Sequence, residues 1–255
     1  MNFYKIFVSY KGTNYFGWQI QNSVEGKKTI QGEINQALSK ICQSEEIKTL
    51  GSSRTDTGVH AIEQVFRASL PLKLPLSALE LGLNSFLPPD IRILKAEFSS
   101  QDFHPVGAAI WKEYLYYYSQ TEPSPFEKDL FSHYPYDLNF SKMEKAAKLF
   151  LGKHDFKNFQ CVGTEVPTTV REILEIELSH YNRVSPWGEL PLICLRIRGD
   201  GFLKQMVRMI VGTLWSVGRG KTDISIVKNA IDMTVTERVG FVAPACGLYL
   251  HKIHF

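Results

Sequence analysis

A polar, turn-forming stretch around residue 56 carries the side chains whose types and spacing could do chemistry. It reads GSSRTDTGVHA from residue 51 to residue 61 and lies between two strand-like runs, Ile47–Leu50 and Gln64–Leu70. Asp56 and Arg54 are two positions apart and would point to the same side of an extended segment. An ionised carboxylate can act as a nucleophile. In an arbitrary turn, however, the same residues would form a solvated ion pair, and from these residues alone that is the favoured interpretation.

A lone arginine in an otherwise apolar helix is the second chemically informative feature. The segment Phe202–Val217 has apolar residues at helical spacing, so most of this helix is predicted to be core. Arg208 falls among them, where a guanidinium is costly unless it pairs with an anion. From the residues alone, Arg208 is expected to reach the edge of the helix or to neutralise a structural carboxylate.

Two short motifs resemble sites of other protein classes, and their context excludes both. GRGKT at residues 218–222 ends like a P-loop, but Trp215 stands where the first glycine is needed, and a helix precedes it. DTG at residues 56–58 is also found in aspartic proteases, whose two carboxylates share a proton. Here the preceding residues are polar, and a neighbouring arginine would keep the carboxylate ionised. A protease is therefore the least favoured interpretation.

The composition is that of an ordinary soluble globular protein. Of the 255 residues 44% are hydrophobic and 22% charged, and the formal net charge of +3 permits a nucleic-acid partner. No apolar run is long enough to span a membrane, and the first residues begin a strand and not a signal peptide. The four cysteines are isolated, which favours buried thiols in a reducing compartment over disulfides or zinc. We therefore expect a cytoplasmic protein that is not associated with a membrane.

Hydrophobic periodicity predicts the order β-α-β-β-α-β in the first half of the chain. Phe3–Lys11 alternates as a half-buried strand does, and Thr29 can cap a helix that runs to about Cys42. A loop with glycines and three aromatic residues lies between these two elements. The remaining elements predicted in this half are strands Ile47–Leu50, Gln64–Leu70 and Ile91–Phe98 and a helix Pro75–Leu87.

The second half repeats this order without obvious sequence identity. Ser141 and Glu144 form a capping box that predicts the start of a helix ending at Gly152. The other predicted elements are strands Glu113–Ser119, Glu172–Ser179, Ile193–Arg198 and Gly247–Ile253 and helices Phe202–Val217 and Asp223–Met233.

These patterns predict an α+β fold with two ferredoxin-like βαββαβ halves, residues 1–104 and 105–255. No linker rich in proline, glycine or serine separates the halves. We therefore expect their sheets to join into one mixed, mainly antiparallel sheet around a central cleft near residues 99–112. The first half carries the Asp56 loop.

Five segments in a fixed order indicate a family. Residues 51–61 nearly reproduce the pattern GRTDxGVHA, and residues 247–250 read GLYL. The other three are the Tyr10–Gln19 segment (Y-D-G-x-x-Y-x-G-W-Q), Phe103-His104 with Tyr114-x-Tyr116 (F-H and Y-x-Y), and residues 201–212 (F-x-x-x-M-V-R-x-I-V-G). Together they resemble the TruA family of tRNA pseudouridine synthases, along nearly the whole chain.

Several positions depart from the family pattern. They are Lys11 in place of Asp, Ser53 in place of Gly, Thr57 in place of Ala, Glu63 in place of Gly, and Pro105-Val106 where a basic residue is common. The last departure puts one RNA contact in doubt. None of them affects a residue of the chemistry.

The resemblance implies that Asp56 is the nucleophile of a uridine isomerase. Arg208 would pair with Asp56, keep its carboxylate ionised in a dry pocket and fix its direction. Tyr114 matches the family's active-site tyrosine, and it could stack on uracil and relay the proton lost from C5. Tyr116 and Tyr118 are rivals by residue type. Attack at C6 of uracil and attack at C1′ of the ribose both remain open.

The resemblance also implies contacts with RNA. A stacked uridine must be flipped out to reach the pocket, and Arg54 could hold a phosphate or fill the vacated space. His60 is assigned to RNA contact or to stabilising the turn, in preference to catalysis. Lys11, Lys204 and Arg198 are expected to neutralise phosphates, so that RNA affinity depends on salt.

The predicted enzyme acts on tRNA, at uridines of the anticodon stem-loop, as a homodimer and without metal or cofactor. A non-catalytic RNA-binding protein on a ferredoxin-like scaffold is the competing class, because fold does not determine function. The presence of Asp56, Tyr114 and Arg208 together favours the enzyme.

Overall fold

A computed structural model describes residues 1–21, 26–161, 163, 166–233, 235 and 239–255. The chain forms two compact units. The first consists of Met1–Ile110 and Tyr249–Phe255, and the second is Trp111–Leu248. The C-terminal residues therefore belong to the first unit. Each unit is a layer of mainly antiparallel sheet with helices, so the predicted α+β class is confirmed.

The first unit contains the predicted β-α-β-β-α-β order. Its elements are β1 (Asn2–Tyr10), α1 (Ile30–Cys42), β2 (Lys48–Gly51), β3 (His60–Leu70), α2 (Leu76–Phe86) and β4 (Ile91–Ser99). The strands lie in the order β4-β1-β3-β2, and each neighbouring pair is antiparallel. This is the strand arrangement of a ferredoxin-like unit.

Alternating burial explains why β1 is a central strand. Tyr4, Ile6 and Val8 are completely buried, and the residues between them are half-buried. Ile6 lies opposite Phe66 of β3 on one side and Ala96 of β4 on the other. The period of two therefore places one apolar row in the core of this unit.

Helix α1 begins and ends where local chemistry allows. The Thr29 side chain accepts a hydrogen bond from the Gly32 amide, which confirms the predicted cap. Ile34 and Leu38 are completely buried on its apolar face. The helix ends at Cys42 because Gln43 takes a left-handed conformation with φ of 49°.

The second unit has a longer sheet than predicted. Its elements are β5 (Trp111–Ser119), β6 (Ser132–His133), α3 (Phe140–Lys148), β7 (Gly152–Asp155), β8 (Val170–Ser185), β9 (Gly188–Gly199), α4 (Met206–Gly218) and α5 (Ile224–Ile231). The strands β5, β9, β8 and β7 are successive antiparallel neighbours, and β6 lies parallel to β5. The predicted hairpin is confirmed as β8 and β9, but both strands extend well beyond the predicted ranges.

Three helix boundaries of the second unit were predicted wrongly. Asn139, and not the predicted capping box, caps α3, because its side chain accepts a hydrogen bond from the Lys142 amide. This helix does not end at Gly152, which has a φ of +94° and begins the unpredicted strand β7. Helix α4 begins at Met206 because Gln205 is left-handed, with a φ of 64°.

An aromatic cluster forms much of the core of the second unit. Trp215 of α4 is completely buried and receives the edges of Tyr116 and Tyr118 from β5. Tyr134 stacks on the same indole with 4.1 Å between ring centroids. The apolar spacing of the predicted helix is therefore confirmed as core.

The last strand, β10 (Leu248–His254), pairs with β3 in parallel through Tyr249 and Leu250. It thereby places the end of the chain beside the residues that leave the Asp56 loop. The predicted strand Gly247–Ile253 is confirmed to within a residue.

The four cysteines are free thiols, two of them, Cys42 and Cys194, buried. Burial raises the pKa of the Cys194 thiol to about 12, so this group stays protonated at neutral pH. Within the described ranges, the protein has no helix with the length and apolar character needed to cross a membrane.

Candidate active site

The Asp56 loop connects β2 to β3 and is anchored at its base by polar contacts with β3. The Ser52 amide donates to the Val65 carbonyl over 2.8 Å. The completely buried amide side chain of Gln64 receives the Ser53 amide and donates to the Ser53 carbonyl. Because both polar groups of Gln64 are used, this side chain fixes the start of the loop. Asp56 itself is half-buried.

A second segment, residues 10–18, lies against the Asp56 loop and makes bonds to its backbone. The Trp18 amide donates to the Thr55 carbonyl over 3.1 Å, and the Gly58 amide donates to the Tyr15 carbonyl over 3.2 Å. The Tyr10 hydroxyl and the Thr55 hydroxyl are 2.9 Å apart in a buried hydrogen bond. These bonds hold the residues on both sides of Asp56.

Two glycines allow this close approach. A Cβ at Gly12 would overlap the carbonyl oxygen of Val59. A Cβ at Gly17 would lie 2.5 Å from the Thr55 oxygen and 3.1 Å from the Asp56 carbonyl carbon. Gly17 also has a φ of +83°, which favours glycine. The glycines of this loop were evident in the sequence, but their function of letting the loop contact the backbone around Asp56 was not.

His60, the first residue of β3, lies inside this contact. Its Nδ1 accepts a hydrogen bond from the Gly12 amide over 3.0 Å. The ring stacks on Tyr249 of β10 with 4.7 Å between centroids, and only 1% of the residue is exposed. The expected contact of His60 with RNA stays a prediction, and its alternative assignment to stabilising the turn agrees with these bonds.

Asp90 bonds to two further residues of the 10–18 segment. The Tyr15 hydroxyl donates to Asp90 Oδ1 over 2.5 Å, and the Lys11 amide donates to the Asp90 carbonyl. Burial, together with this bond and the carboxylate charge, raises the pKa of the Tyr15 phenol well above its ordinary value. Tyr15 is therefore a neutral donor at any physiological pH.

In the second unit, Arg208 lies in the first turn of α4 and is half-buried. Its Nε donates to the Ala243 carbonyl over 2.6 Å, while the Ala243 amide donates to the Arg208 carbonyl. Segment 239–243 can cross α4 because Gly212 has no side chain at the Phe241 carbonyl. These contacts fix the direction of the guanidinium.

Tyr114 and its two rivals alternate along β5. Tyr114 is 6% exposed, and its ring meets that of Phe202 edge-on with 5.1 Å between centroids. The Tyr116 hydroxyl donates to the Pro244 carbonyl over 2.9 Å. Burial raises the pKa of the Tyr116 phenol well above its ordinary value, with the Arg208 charge among the smaller opposing effects. The pKa of Tyr118 is raised by burial as well.

Arg198, predicted to bind RNA, lies in an ion-pair network on β5, β8 and β9. Its guanidinium contacts Glu113 over 2.9 Å and Glu175 over 2.7 Å, and it lies 4.3 Å from the centre of the Trp111 ring. Arg196 joins the same carboxylates from the next position on its face of β9. A phosphate would have to compete with these carboxylates for Arg198.

The remaining predicted RNA contacts occupy surface positions. Arg54 and Lys204 are exposed, and Lys11 is half-buried directly after β1. The Lys204 carbonyl accepts a hydrogen bond from the Cys161 amide. Asp56, Arg54, His60 and Lys11 belong to the first unit, and Tyr114, Arg208, Lys204 and Arg198 to the second. The meeting of Asp56, Tyr114 and Arg208 in one site stays a prediction.

In the described part of the chain, no cluster of three or more His, Cys, Asp or Glu side chains could hold a metal ion.

Comparison with known proteins gives matches along the whole chain. A family model described as tRNA pseudouridine synthase matches residues 6–105 and 146–255. The chain is 40% identical over 253 residues to tRNA pseudouridine synthase A of Bacillus pumilus (strain SAFR-032), with 98% of each chain covered. It is 39% identical to tRNA pseudouridine synthase A 2 of Clostridium perfringens (strain 13 / Type A) and 37% identical to tRNA pseudouridine synthase A of Bacillus subtilis (strain 168), again covering 98% of each chain.

Proposed function

The chain belongs to the tRNA pseudouridine synthase family, and we propose that it isomerises uridine to pseudouridine in the anticodon stem-loop of tRNA with Asp56 as nucleophile. The observation that carries the proposal is that the backbone on both sides of Asp56 is held in place by hydrogen bonds. A half-buried carboxylate stands on a loop whose backbone is held before and after it by residues 10–18. Such preorganisation is what an attacking group needs.

The chemistry follows from the residue types. A carboxylate oxygen of Asp56 bonds to C6 of uracil or to C1′ of the ribose, and the bond between N1 and C1′ breaks. The detached base turns, C5 bonds to C1′, Asp56 is released, the proton on C5 leaves and N1 gains a proton. Uridine and pseudouridine therefore contain the same atoms, and no oxidant or reductant is needed. The nucleophile must be ionised at the first step.

Arg208 and Tyr114 take the two supporting functions. Arg208 pairs with Asp56 and keeps it charged, which burial alone would oppose. Its bond to the Ala243 carbonyl fixes the direction of the guanidinium. Tyr114 stacks on the uracil and relays the C5 proton, and its nearly complete burial in β5 suits a ring that forms a pocket wall.

Binding of the substrate requires that the uridine leave its stack. Unstacking costs a few kcal/mol, which contacts in the pocket must recover. Exposed Arg54, two residues from Asp56, holds the phosphate or fills the vacated space. Lys11, Lys204 and Arg198 contribute phosphate contacts, and His60 contributes by shaping the loop. Because phosphate neutralisation releases counterions, the affinity for tRNA falls as salt rises.

The enzyme acts in the cytoplasm as a homodimer in which one tRNA contacts both subunits. Sedimentation of the free protein and of its complex with tRNA tests this stoichiometry. A complex of one subunit with one tRNA, fully active, would contradict the dimer.

The decisive experiment is tritium release from tRNA transcripts labelled at C5 of uridine, with wild type compared to Asp56→Asn. The variant is isosteric, so it should lose turnover but bind tRNA within about tenfold of wild type, because the basic surface is unchanged. Release by wild type alone supports the isomerase and its nucleophile.

The opposite results are equally informative. Wild-type rates in Asp56→Asn would show that Asp56 is not the nucleophile. Binding of tRNA without release by wild type would favour the competing class, an RNA-binding protein without catalysis. Mapping of pseudouridine in the product tests the anticodon stem-loop assignment separately.

A further inference from the structure

The 10–18 segment and the Asp56 loop are joined by backbone contacts, by the Tyr10–Thr55 bond between side chains, and by one bond from the backbone to the side chain of His60. The Trp18–Thr55 and Gly58–Tyr15 bonds run from backbone to backbone. The Gly12 amide is different, because its acceptor is the imidazole Nδ1 of His60. Gly12 lies two residues after the end of β1, at the turn where the segment begins to cross the loop.

The geometry of His60 fits this function better than a contact with substrate. The residue is 1% exposed, and its ring is clamped by stacking on Tyr249. Because Nδ1 accepts the hydrogen bond from the Gly12 amide, a neutral imidazole carries its own proton on Nε2. A ring fixed in this way provides an acceptor of defined position and direction, at the point where Gly12 touches the Val59 backbone.

We propose that His60 is a positioning residue for the reaction, which holds the 10–18 segment against the Asp56 loop through its bond to the Gly12 amide. This inference rests on the proposed function of Asp56. The segment reaches the nucleophile through Gly17, whose missing Cβ would lie 3.1 Å from the Asp56 carbonyl carbon and 3.3 Å from the Thr57 amide nitrogen. A shift of the segment at Gly12 is therefore transmitted to the backbone of Asp56.

The competing explanation is that His60 only fills space in the core. The two explanations differ in which property of the ring matters. Core packing depends on its volume and its stacking on Tyr249, whereas positioning depends on the acceptor at Nδ1. Two substitutions separate these properties. His60→Phe keeps the ring and its stacking but presents a C–H to the Gly12 amide. His60→Asn loses the ring but places an amide oxygen near the Nδ1 position.

The measurement is single-turnover tritium release from C5-labelled tRNA, with the rate constant and the tRNA Kd recorded separately. For His60→Phe we expect the rate constant to fall at least tenfold, with Kd within about threefold of wild type, because the error is in geometry and not in the RNA surface. For His60→Asn we expect a rate constant much closer to that of wild type than the rate constant of His60→Phe. A wild-type rate in His60→Phe, or equal losses in both variants, would overturn the proposal.

Hydrogen exchange of residues 10–18 provides a readout that does not depend on the reaction. His60→Phe should accelerate exchange in this segment at least tenfold, and His60→Asn should not. If wild type releases no tritium, the proposed function fails, yet the exchange experiment still decides whether His60 holds the segment. Unchanged exchange in His60→Phe would refute the contact.

A second pair of variants protects the test against misfolding. If His60→Phe does not fold, His60→Asn is compared with His60→Gln, which carries the same amide one bond further from the backbone. The asparagine variant should be at least tenfold faster, because only its oxygen reaches the Gly12 amide. Equal rates in the two amide variants would overturn the proposal.

Discussion

Buried polar side chains in this protein differ in how much free energy their burial costs. Gln64 is buried with both amide groups bonded, and His60 is buried with a bond to Gly12 and a stacking partner. Lys112 of β5 is also buried, 9% exposed, but an ammonium loses far more hydration than an amide does. Its titration is therefore a direct measure of that environment.

Lys112 should make stability depend on pH in the alkaline range. Burial, and to a smaller extent the charge of Arg171, lowers its pKa from 10.5 to about 8. Between these values the unfolded chain binds more protons than the folded chain, so the free energy of unfolding rises with pH. Below pH 8 the cost of the buried charge is fully present.

The measurement is urea unfolding of wild type and Lys112→Met at pH 7 and pH 9.5. At about 1.4 kcal/mol per pH unit across the affected range, wild type should gain about 2 kcal/mol relative to the variant over this interval. A difference between the two proteins that does not change with pH would show that Lys112 is not desolvated in this way.

At the scale of elements, glycines decide how closely two segments can approach. The 10–18 segment can lie on the Asp56 loop only because Gly12 and Gly17 have no side chains. Segment 239–243 can cross α4 only because of Gly212 and of Gly240, which has a φ of +85°. In the first unit the crossing segment bonds to Thr55, next to Asp56, and in the second unit it bonds to Arg208.

Gly17→Ala should slow catalysis by displacing the Asp56 backbone. The new Cβ would lie 2.5 Å from the Thr55 oxygen, and the backbone would be strained at a φ of +83°. Gly26→Ala is the matched control, because Gly26 has a φ of +84° but no atom of the described residues lies within 4 Å of its added Cβ. Both variants should lose about 1–2 kcal/mol of stability to backbone strain, and Gly17→Ala should lose more because of its overlap with the Thr55 carbonyl.

Only Gly17→Ala should also lose activity, by at least tenfold in single-turnover tritium release. Thermal unfolding of both variants measures the loss of stability in each. Equal activities in the two variants would mean that the approach of Gly17 to Asp56 has no influence on the reaction.

Gly212→Ala should destabilise the second unit. Its Cβ would overlap the Phe241 carbonyl, so either α4 or the crossing segment must move, at a cost of about 1–3 kcal/mol. Gly82→Ala in α2 is the control, since, among the residues that the structure describes, its Cβ would meet only the flexible end of Ile41, at 3.2 Å.

For Gly82→Ala we expect no loss of stability, or a gain of up to about 1 kcal/mol from helix propensity. Urea unfolding of the two variants beside wild type checks both values. If Gly212→Ala were as stable as Gly82→Ala, tight packing of segment 239–243 on α4 would be disproved.

At the scale of the whole molecule, the proposed reaction needs residues from both compact units. Asp56 belongs to the first unit, and Arg208 and Tyr114 belong to the second. An arginine partner for Asp56 is thus a hypothesis about the folded chain, and it is tested by removing the charge at Arg208.

Arg208→Met should reduce single-turnover tritium release at least 100-fold, because Asp56 loses the partner that keeps it ionised and directed. The Kd for tRNA should stay within about tenfold of wild type. Lys228→Met removes one positive charge from an exposed ion pair with Asp232 and serves as the control. Equal rates in the two variants would refute the pairing.

Much of this fold was evident in the sequence because local patterns are strong there. Alternation predicted β1, helical spacing predicted α1 and α4, and Thr29 was identified as a cap. The family motifs pointed to Asp56, Tyr114 and Arg208 as the residues of the chemistry. Each of these inferences needs only neighbouring residues in the chain.

Only the tertiary structure revealed the contacts between residues distant in sequence. It showed that β10 pairs with β3 and that His60 accepts a hydrogen bond from the Gly12 amide, 48 positions away in the chain. The physical reason is that a hydrogen bond or a close approach depends on where two chain segments meet. No periodicity within either segment contains that information, so the contacts between residues 10–18 and the Asp56 loop could not be predicted from the sequence.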